Sequence, residues 1–577
     1  MLLQLLRPAL SPLTSRLALL LLLQLAQTAA LLYLPALNAD IIDEGVVRGE
    51  LDRILSLGGI MLALTVLQAV CTVGAVRLAS RVATAVSRDI RASVFRHVQT
   101  FSGSEFTRFG TSSLISRTTN DVQQVEAFLL SGLILLVEAP LICLVGIVVA
   151  LRQDVALSSV LLVIIPGLVL LMGLVLRRTR PVALQLQENT DTVNRVLREQ
   201  IAGTRVVRAF VREEHETQRF ERASRALADV SVTNGRLGTL LLPLGATVVN
   251  LFTVPMVWLG ANRIDAGHME VGDMVAFLTY MALVLASLMT LASVLMMLPR
   301  AQVCARRISE VLRVESAVTP PARPVRRMRR PGHVELRGVG FSYPGAEAPV
   351  VRDVTLSIRP GESVALVGPT GSGKSTLLQL MLRIVDATEG QILMGGEDIR
   401  SLDPTLLTRR VGYVPQRPYL FSGTVASNLR LGRPDASDGE LWRALATAQA
   451  QEFVGAMEES LGARIAQGGT NVSGGQRQRL AMARALLVRP DIYLFDDAFS
   501  SLDYLTEAAL RTELAHETSS ATVVFVAQRV STIKSANRIV VLDQGRVVGD
   551  GTHEELFHSN VIYRDIVLAQ PAEEGPS

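Results

Sequence analysis

Along roughly the first 300 positions the chain runs in long apolar stretches separated by polar intervals, and beyond them the apolar stretches become short. The long ones lie at roughly residues 15–37, 55–79, 128–151, 155–177, 238–261 and 272–297. Each is near the ~20 residues that a helix needs to cross the hydrocarbon of a bilayer. Six crossings return the chain to the side on which it began. The intervals from about Ser80 to Val125 and from Arg178 to Leu237 are long, polar and helix-compatible, so they are expected to carry the spans onward as helices outside the membrane. Arg7 and Arg16 ahead of the run Leu17 to Ala30 imitate a secretory leader. With five further spans behind it, that run reads as a retained first helix.

Charge sets the orientation. The interval after the first span, Asn38 to Arg53, carries Asp40, Asp43, Glu44, Glu50 and Asp52 against Arg48 and Arg53, whereas the interval after the second carries Arg77, Arg81, Arg88, Arg91 and Arg96. The positive-inside rule then places both termini in the cytoplasm. Near residue 317 the pattern changes to Thr319-Pro320-Pro321-Ala322-Arg323-Pro324 followed by Arg326, Arg327, Arg329 and Arg330, a Pro- and Arg-rich linker. The expected organisation is a membrane domain over 1–316, a linker over 317–332 and a cytoplasmic α/β domain over 333–577. Composition agrees: 577 residues at 49% hydrophobic are too many and too apolar for a single soluble domain. A net charge of +4 gives no reason to expect nucleic acid, and Cys71, Cys143 and Cys304 lack the spacing of a disulfide framework or a zinc site. Lysine occurs only at Lys374 and Lys534; so strong an arginine bias suggests a GC-rich bacterial genome and hence a bacterial cytoplasmic membrane.

In the second half, β-rich runs at Ser363 to Val367, Ile492 to Phe495 and Thr522 to Val526 alternate with helical patterns. The first leads into Gly368-Pro369-Thr370-Gly371-Ser372-Gly373-Lys374-Ser375-Thr376, with a helix expected to begin near Leu377. Strand, glycine-rich loop and helix in that order make a phosphate-binding P-loop: glycines let backbone N–H groups turn onto phosphates, Lys374 adds a mobile positive charge, and Ser375 can ligate Mg²⁺. Asp496, closing the strand Ile492 to Phe495, is placed as the acidic residue that holds Mg²⁺ through water. Between these elements stands Val472-Ser473-Gly474-Gly475-Gln476, opening a helix.

That last element, in that position, resembles the signature of ATP-binding cassette proteins, and the resemblance extends over essentially the whole chain. The sequence looks like a bacterial ABC exporter half-transporter of the multidrug and lipid-flippase type: a six-span α-helical transmembrane domain fused to an α/β P-loop NTPase cassette. The resemblance implies ATP and Mg²⁺ as cofactors. It makes Tyr343 in Phe341-Ser342-Tyr343-Pro344 the aromatic that stacks on adenine, Gln416 the Q-loop glutamine that senses Mg²⁺, and Asp503 in Ser500-Ser501-Leu502-Asp503 the D-loop aspartate. Phe106 to Gly110 with Ser116 to Asp121, and Gly203 to Phe210, resemble the family's two cytoplasmic coupling loops.

The chain departs from the family around one phosphate. Asp497 stands where hydrolysing members carry the Glu that polarises the attacking water, Gln528 stands at the switch-histidine position, and Gln467 replaces a Glu usual before the signature. Asp is one methylene short, and an amide cannot carry imidazolium charge. The signature is intact apart from its conservative first residue. Because cassettes of this family dimerise head to tail, the resemblance implies a heterodimer: a second half-transporter with a competent site served by this chain's signature, and a degenerate ATP site here. A homodimer with two slow sites, or an importer of siderophore or peptide on the same scaffold, are the alternatives. The expected substrate is a lipophilic small molecule or lipid. Glu138, inside the third span between Leu136-Val137 and Ala139-Pro140, should face a substrate cavity or a polar partner, because a carboxylate exposed to lipid is costly.

Overall fold

The computed structural model describes residues 1–570; positions 571–577, the end of the range expected for the second domain, lie outside the described residues. The chain divides into two compact units, one made of Met1–Gln99 with Ser112–Val314 and the other of Thr100–Thr111 with the chain from Glu315 onward.

Six helical segments in the first unit are long and apolar enough to cross a membrane: Leu2–Val46, Leu51–Val98, Thr111–Gln153, Val155–Ala209, Glu213–Asp265 and Val271–Arg313. This is a multi-pass membrane protein. At 43 to 55 residues these segments are about 65–80 Å long, more than twice the ~30 Å of hydrocarbon. The polar intervals after the second and fourth spans are indeed largely helical, continuing to Val98 and through Ala209 and Glu213–Thr239. Lipid gives no hydrophobic drive for helix association, so packing rests on small residues and interhelical hydrogen bonds. Gly272 illustrates both: its N–H donates to Asp43 Oδ1 at 2.7 Å, and a Cβ at this position would lie 2.3 Å from the Ala39 carbonyl oxygen. Tyr280 likewise donates its hydroxyl to the Leu32 carbonyl at 2.8 Å, tying the sixth span to the first.

The second unit contains twelve described strands. Four form an antiparallel sheet in the order β2-β1-β4-β5, from β1 (Val334–Phe341), β2 (Val351–Ile358), β4 (Glu389–Met394) and β5 (Glu397–Asp398). Six form the order β12-β11-β3-β10-β9-β6, from β3 (Ser363–Val367), β6 (Val411–Val414), β9 (Ile492–Asp496), β10 (Thr522–Val526), β11 (Arg538–Asp543) and β12 (Arg546–Gly551); β7 (Gly423–Thr424) pairs with β8 (Arg464–Ile465). Within the six, β11, β3, β10, β9 and β6 are parallel and only the edge strand β12 runs the other way. Parallel strands are covered on both faces, which is why Val364, Ala365 and Leu366 on β3 and Ile492 and Leu494 on β9 are all fully buried and the strands read as unbroken apolar runs.

The helix after the glycine-rich loop begins at Lys374 (Lys374–Met381), three residues before the expected start. Gly373, at φ +97°, closes the loop in the left-handed region, and a Cβ there would meet the Val350 carbonyl oxygen at 2.8 Å. Lys374 and Ser375 therefore stand in the first helical turn.

Candidate nucleotide site

Strand register assembles the site. In the parallel sheet Val526 pairs with both Leu366 and Asp496, and Val414 pairs with Phe495. The carboxyl ends of four adjacent strands thus deliver the loop beginning at Gly368, the pair Asp496 and Asp497, Gln528, and Gln416 to one edge. In open parallel sheets, ligands bind at this edge.

In the loop, Lys374 Nζ donates to the carbonyls of Gly368 and Pro369 at 2.7 and 2.8 Å and to Ser372 Oγ at 3.3 Å. Burial pulls its ammonium pKa below the usual lysine range, and Asp497 and Asp496 oppose that pull. Thr370 and Gly371 are exposed at the loop's crest, Gly371 has φ +85°, and a Cβ on it would meet nothing within 4 Å, so the loop forms an open cradle. Ser375 Oγ donates to Asp496 Oδ1 at 2.8 Å. Asp496 is buried, which raises its pKa against the hydrogen bonds from Ser375 and Tyr413. A hydroxyl beside one carboxylate is the hard-oxygen donor set that Mg²⁺ takes alongside phosphate oxygens and water. No group of three His, Cys, Asp or Glu converges among the described residues. The cradle and the donor set fit an Mg²⁺–nucleotide. Tyr343 is 39% exposed, packs in a T-shaped arrangement with Phe341 with centroids 4.9 Å apart, and reaches Thr376 Oγ1 at 3.4 Å, so an aromatic ring adjoins the helix Lys374–Met381.

Asp497 turns sharply off β9 at φ +48°, a left-handed conformation that Asp tolerates better than most residues. Its Oδ2 accepts from two amides, Gln416 Nε2 at 3.2 Å and Gln528 Nε2 at 3.0 Å. Burial raises its pKa, the Gln416 and Ser500 hydrogen bonds oppose the rise, and the neighbouring Asp496 charge adds to it. Gln416 and Gln528 thereby meet at one oxygen of Asp497.

Residues 17–288 match the ABC transporter transmembrane region, and residues 351–500 match the ABC transporter family. The chain belongs to the ABC transporter family. An uncharacterized ABC transporter ATP-binding protein of Mycobacterium tuberculosis is 44% identical over 99% of this chain and 98% of its own length. A multidrug efflux ATP-binding/permease protein of the same species is 35% identical over 94% of this chain, which spans only 45% of that longer relative. A bacterial Atm1-family ABC exporter with ATP bound superposes with a TM-score of 0.83 at 25% identity, over 99% of both chains.

Other motif residues of this ABC transporter stand elsewhere. Ser473 caps the helix Gly474–Val488: its Oγ accepts from Gln476 N at 3.2 Å while Gln476 Oε1 accepts from Ser473 N at 2.9 Å. Val472 is buried beneath them, and Ser473 and Gly474 are exposed. By helix geometry the amides of Gly474 and Gly475 have no intrahelical acceptor, so an anion-binding terminus points outward. Asp503 caps the helix Tyr504–Glu517 through Thr506 N at 2.9 Å, and that bond holds its carboxyl below the usual range. Gln467 is exposed and opens a short turn that buries Gly469. Glu138 belongs to the membrane unit.

Two residues had no motif to announce them. Tyr413 directs its hydroxyl at Asp496 Oδ2, 3.5 Å away, and is there because β6 lies beside β9. Arg529, next to Gln528, donates to the Leu502 carbonyl at 2.9 Å and pairs with the buried Glu507, joining the segment after β10 to the start of the helix Tyr504–Glu517.

Proposed function

We propose that this ABC transporter is one half of a heterodimeric, ATP-driven exporter of lipophilic or amphipathic compounds in a bacterial cytoplasmic membrane, with the cassette and both termini in the cytoplasm. Its own ATP site is degenerate, and its signature completes the partner's. The observation that carries this reading is the doubly hydrogen-bonded Asp497 carboxylate. A general base must present a lone pair to water, and the two amide donors on Oδ2 occupy the lone pairs there while opposing the burial-driven rise of its pKa. Being one methylene short, Asp497 also draws its carboxylate back by about one bond length, and misplacements of ~1 Å can cost ~10²-fold. Gln528 is fixed from behind by Gln570, whose amide donates to its backbone carbonyl.

In this reading Lys374 and the amides of Gly371 to Thr376 hold the β- and γ-phosphates, Tyr343 stacks on adenine, and Ser375, Asp496 and Gln416 surround the metal. Bound Mg²⁺ supplies the charge that neutralises the phosphate oxygens. The chain retains ATP without hydrolysing it efficiently, while Ser473, Gly474 and Gly475 stabilise the γ-phosphate held by the partner.

Two exposed surfaces support a partner. In the membrane unit, the turn after Ala209 exposes Phe210 and Val211 at 73% and 80%. In the cassette unit, Tyr419, Phe421 and Leu431 are exposed around a groove that also includes Tyr413, Arg417 and Arg484. An apolar tip of this kind on the partner half-transporter fits such a groove. Relatives named for multidrug efflux support the substrate class.

The test is the ATPase of the purified chain alone in lipid nanodiscs, with nucleotide binding measured in parallel. ATP should bind and turn over very slowly, and adding the partner half-transporter should restore activity. Vigorous Mg²⁺-dependent hydrolysis by the isolated chain would overturn the heterodimer.

A further inference from the structure

The membrane unit contains a polar group that the nucleotide chemistry does not use. Gln24, Gln27 and Thr28 stand at i, i+3 and i+4 of the helix Thr14–Asp40 and so share one face. They are 1%, 4% and 4% exposed inside a run of leucines. Gln24 Nε2 donates to the carbonyls of Leu133 and Ile134 on the third span, at 2.8 and 3.1 Å. Glu138 follows one turn later on that span, is half-buried, and pairs with the Gln27 side chain.

A hydrogen-bond balance shows what this group lacks. The Gln24 amide donor is already engaged with backbone carbonyls, and Gln27 turns toward the carboxyl. Left over are Gln24 Oε1, Gln27 Oε1 and Thr28 Oγ1, each buried and without a hydrogen-bond partner. Unanswered buried polar atoms cost about 1–3 kcal/mol each, and lipid cannot answer them. Two are amide oxygens, which only accept, and the nearby Glu138 carboxylate also only accepts when ionised. Neither the first span from Leu17 to Asp40 nor the third from Val122 to Leu151 carries Lys, Arg or His, and neither does the sixth from Val271 to Pro299; the second span, whose Ala75 and Ala79 pack on the same leucines, carries Arg77 and Arg81, but both are exposed and neither pairs with Glu138. The cluster is short of N–H donors and of positive charge. Leu130, Leu133 and Ile134 beside it pack with Leu20 and Leu23 and with Ala75, Leu78 and Ala79 of the second span, apolar surroundings that suit an alkyl chain.

We propose that Glu138, Gln24, Gln27 and Thr28 form an intramembrane site for the ammonium head of a cationic amphiphile, a primary or secondary amine whose N–H groups meet the open acceptors while its tail lies against the leucines. This names the substrate class of the exporter reading and rests on it. The partly exposed edge of Glu138 is the approach. Charge alone does not satisfy the site, because the two amide oxygens require donors.

The experiment measures equilibrium binding of radiolabelled dodecylammonium to the full chain in nanodiscs, corrected for empty nanodiscs, with dodecyltrimethylammonium (equal charge, no N–H) and dodecanol (no charge) as comparisons. Saturable binding of dodecylammonium is expected, with the trimethyl compound much weaker and dodecanol unsaturable. E138Q should weaken binding about 10- to 100-fold, the effect of one charge-assisted hydrogen bond. Q27L should weaken it less, E138D should keep part of it, and ATP binding should be unchanged in all three, showing that they fold. Equal binding by E138Q and the unaltered chain, or equal affinity for the trimethyl compound, would overturn the site. The ATPase of the complex with its partner separates the two readings. Stimulation by amphiphiles of every kind, insensitive to E138Q, retains export and removes this site; no stimulation by any amphiphile removes the export reading.

Discussion

The division of labour between the two ATP sites can be tested on this chain with Gly474→Ala and Asp497→Ala. Both positions lie in recognised cassette motifs, yet the proposed reading assigns them to different nucleotides. A Cβ on Gly474 would meet nothing within 4 Å in the chain itself, and the position opens a helix, where alanine is well tolerated. The substitution is thus nearly free in the chain's own fold, and its cost falls on whatever approaches the exposed helix terminus from outside. Ser473→Ala is the less clean variant: it also removes the cap on Gln476 N, worth about 1 kcal/mol of local stability. If the signature terminus grips the partner's γ-phosphate, obstructing it should reduce turnover ~10²–10³-fold, as for a lost donor to developing charge. Asp497→Ala frees two exposed amides, Gln416 and Gln528, which water can satisfy, and turnover should fall by well under the ~10²-fold of a lost catalytic group. The assay is steady-state ATPase of the complex recovered through a tag on this chain, at equal and verified ATP occupancy. Were Asp497→Ala as damaging as Gly474→Ala, this chain's own site would be the hydrolysing one and the assignment would be reversed.

Two further outcomes follow from Asp497. Because Gln528 Nε2 and Asp497 Oδ2 are in direct contact at 3.0 Å, Asp497→Glu with Gln528→His should raise ATPase by more than the product of the single effects; strict additivity would show that positions such as Gln467 limit the rate. Burial holds the Asp497 pKa above its unfolded value, so the ionised group disfavours the fold at neutral pH, and protonation relieves that cost as pH falls through the raised pKa toward about 4. Thermal melts of the nucleotide-free chain should therefore show Asp497→Asn more stable than the unaltered protein at pH 7.5, with the gap closing toward pH 4; a gap that widens on acidification contradicts the burial argument.

How much of this was legible in the sequence depends on whether a feature is local. The glycine-rich loop could be read because its glycines, lysine and hydroxyls lie within nine consecutive residues, Gly368 to Thr376. The helix start was misplaced by three residues because the capping role of a left-handed Gly373 is set by the Val350 backbone, distant in sequence. The convergence of Gln416, Asp497 and Gln528 was expected only through family resemblance; physically it follows from strand order β3-β10-β9-β6, which no local pattern encodes. Apolar cores of the six spans were visible, but not their ends, since a helix that leaves the hydrocarbon loses its hydropathy signal while keeping its hydrogen bonds. The segment Thr100–Thr111 groups with the cassette unit through features that were only partly readable. Ser102 and Glu105 form a capping box of the S-x-x-E kind, and Glu105 also accepts from Ala317 N at 3.3 Å. Gln24, Gln27 and Thr28 were concealed by the leucines around them.

The chain presents surfaces whose completion lies outside it. The signature helix satisfies its third amide with its own Ser473 side chain and leaves the amides of its two leading glycines to an external acceptor. A structural helix start would gain by using an acidic residue in its first turn, and this one has none. The absence of a fixed carboxylate keeps the positive end of the helix available to a phosphate that arrives with another chain. The nucleotide edge has the opposite character: its two buried aspartates already engage Ser375, Gln416 and Gln528, and the proposed reading puts Asp497, with two amides on its Oδ2, at the polarising position. In the proposed reading, one terminus is open to chemistry and one carboxylate oxygen is withdrawn from it. In a symmetric dimer those two properties would meet at both sites and slow both. Only a partner that brings a free glutamate to the open terminus makes use of what this chain leaves exposed, and that is the physical ground for preferring two unlike halves.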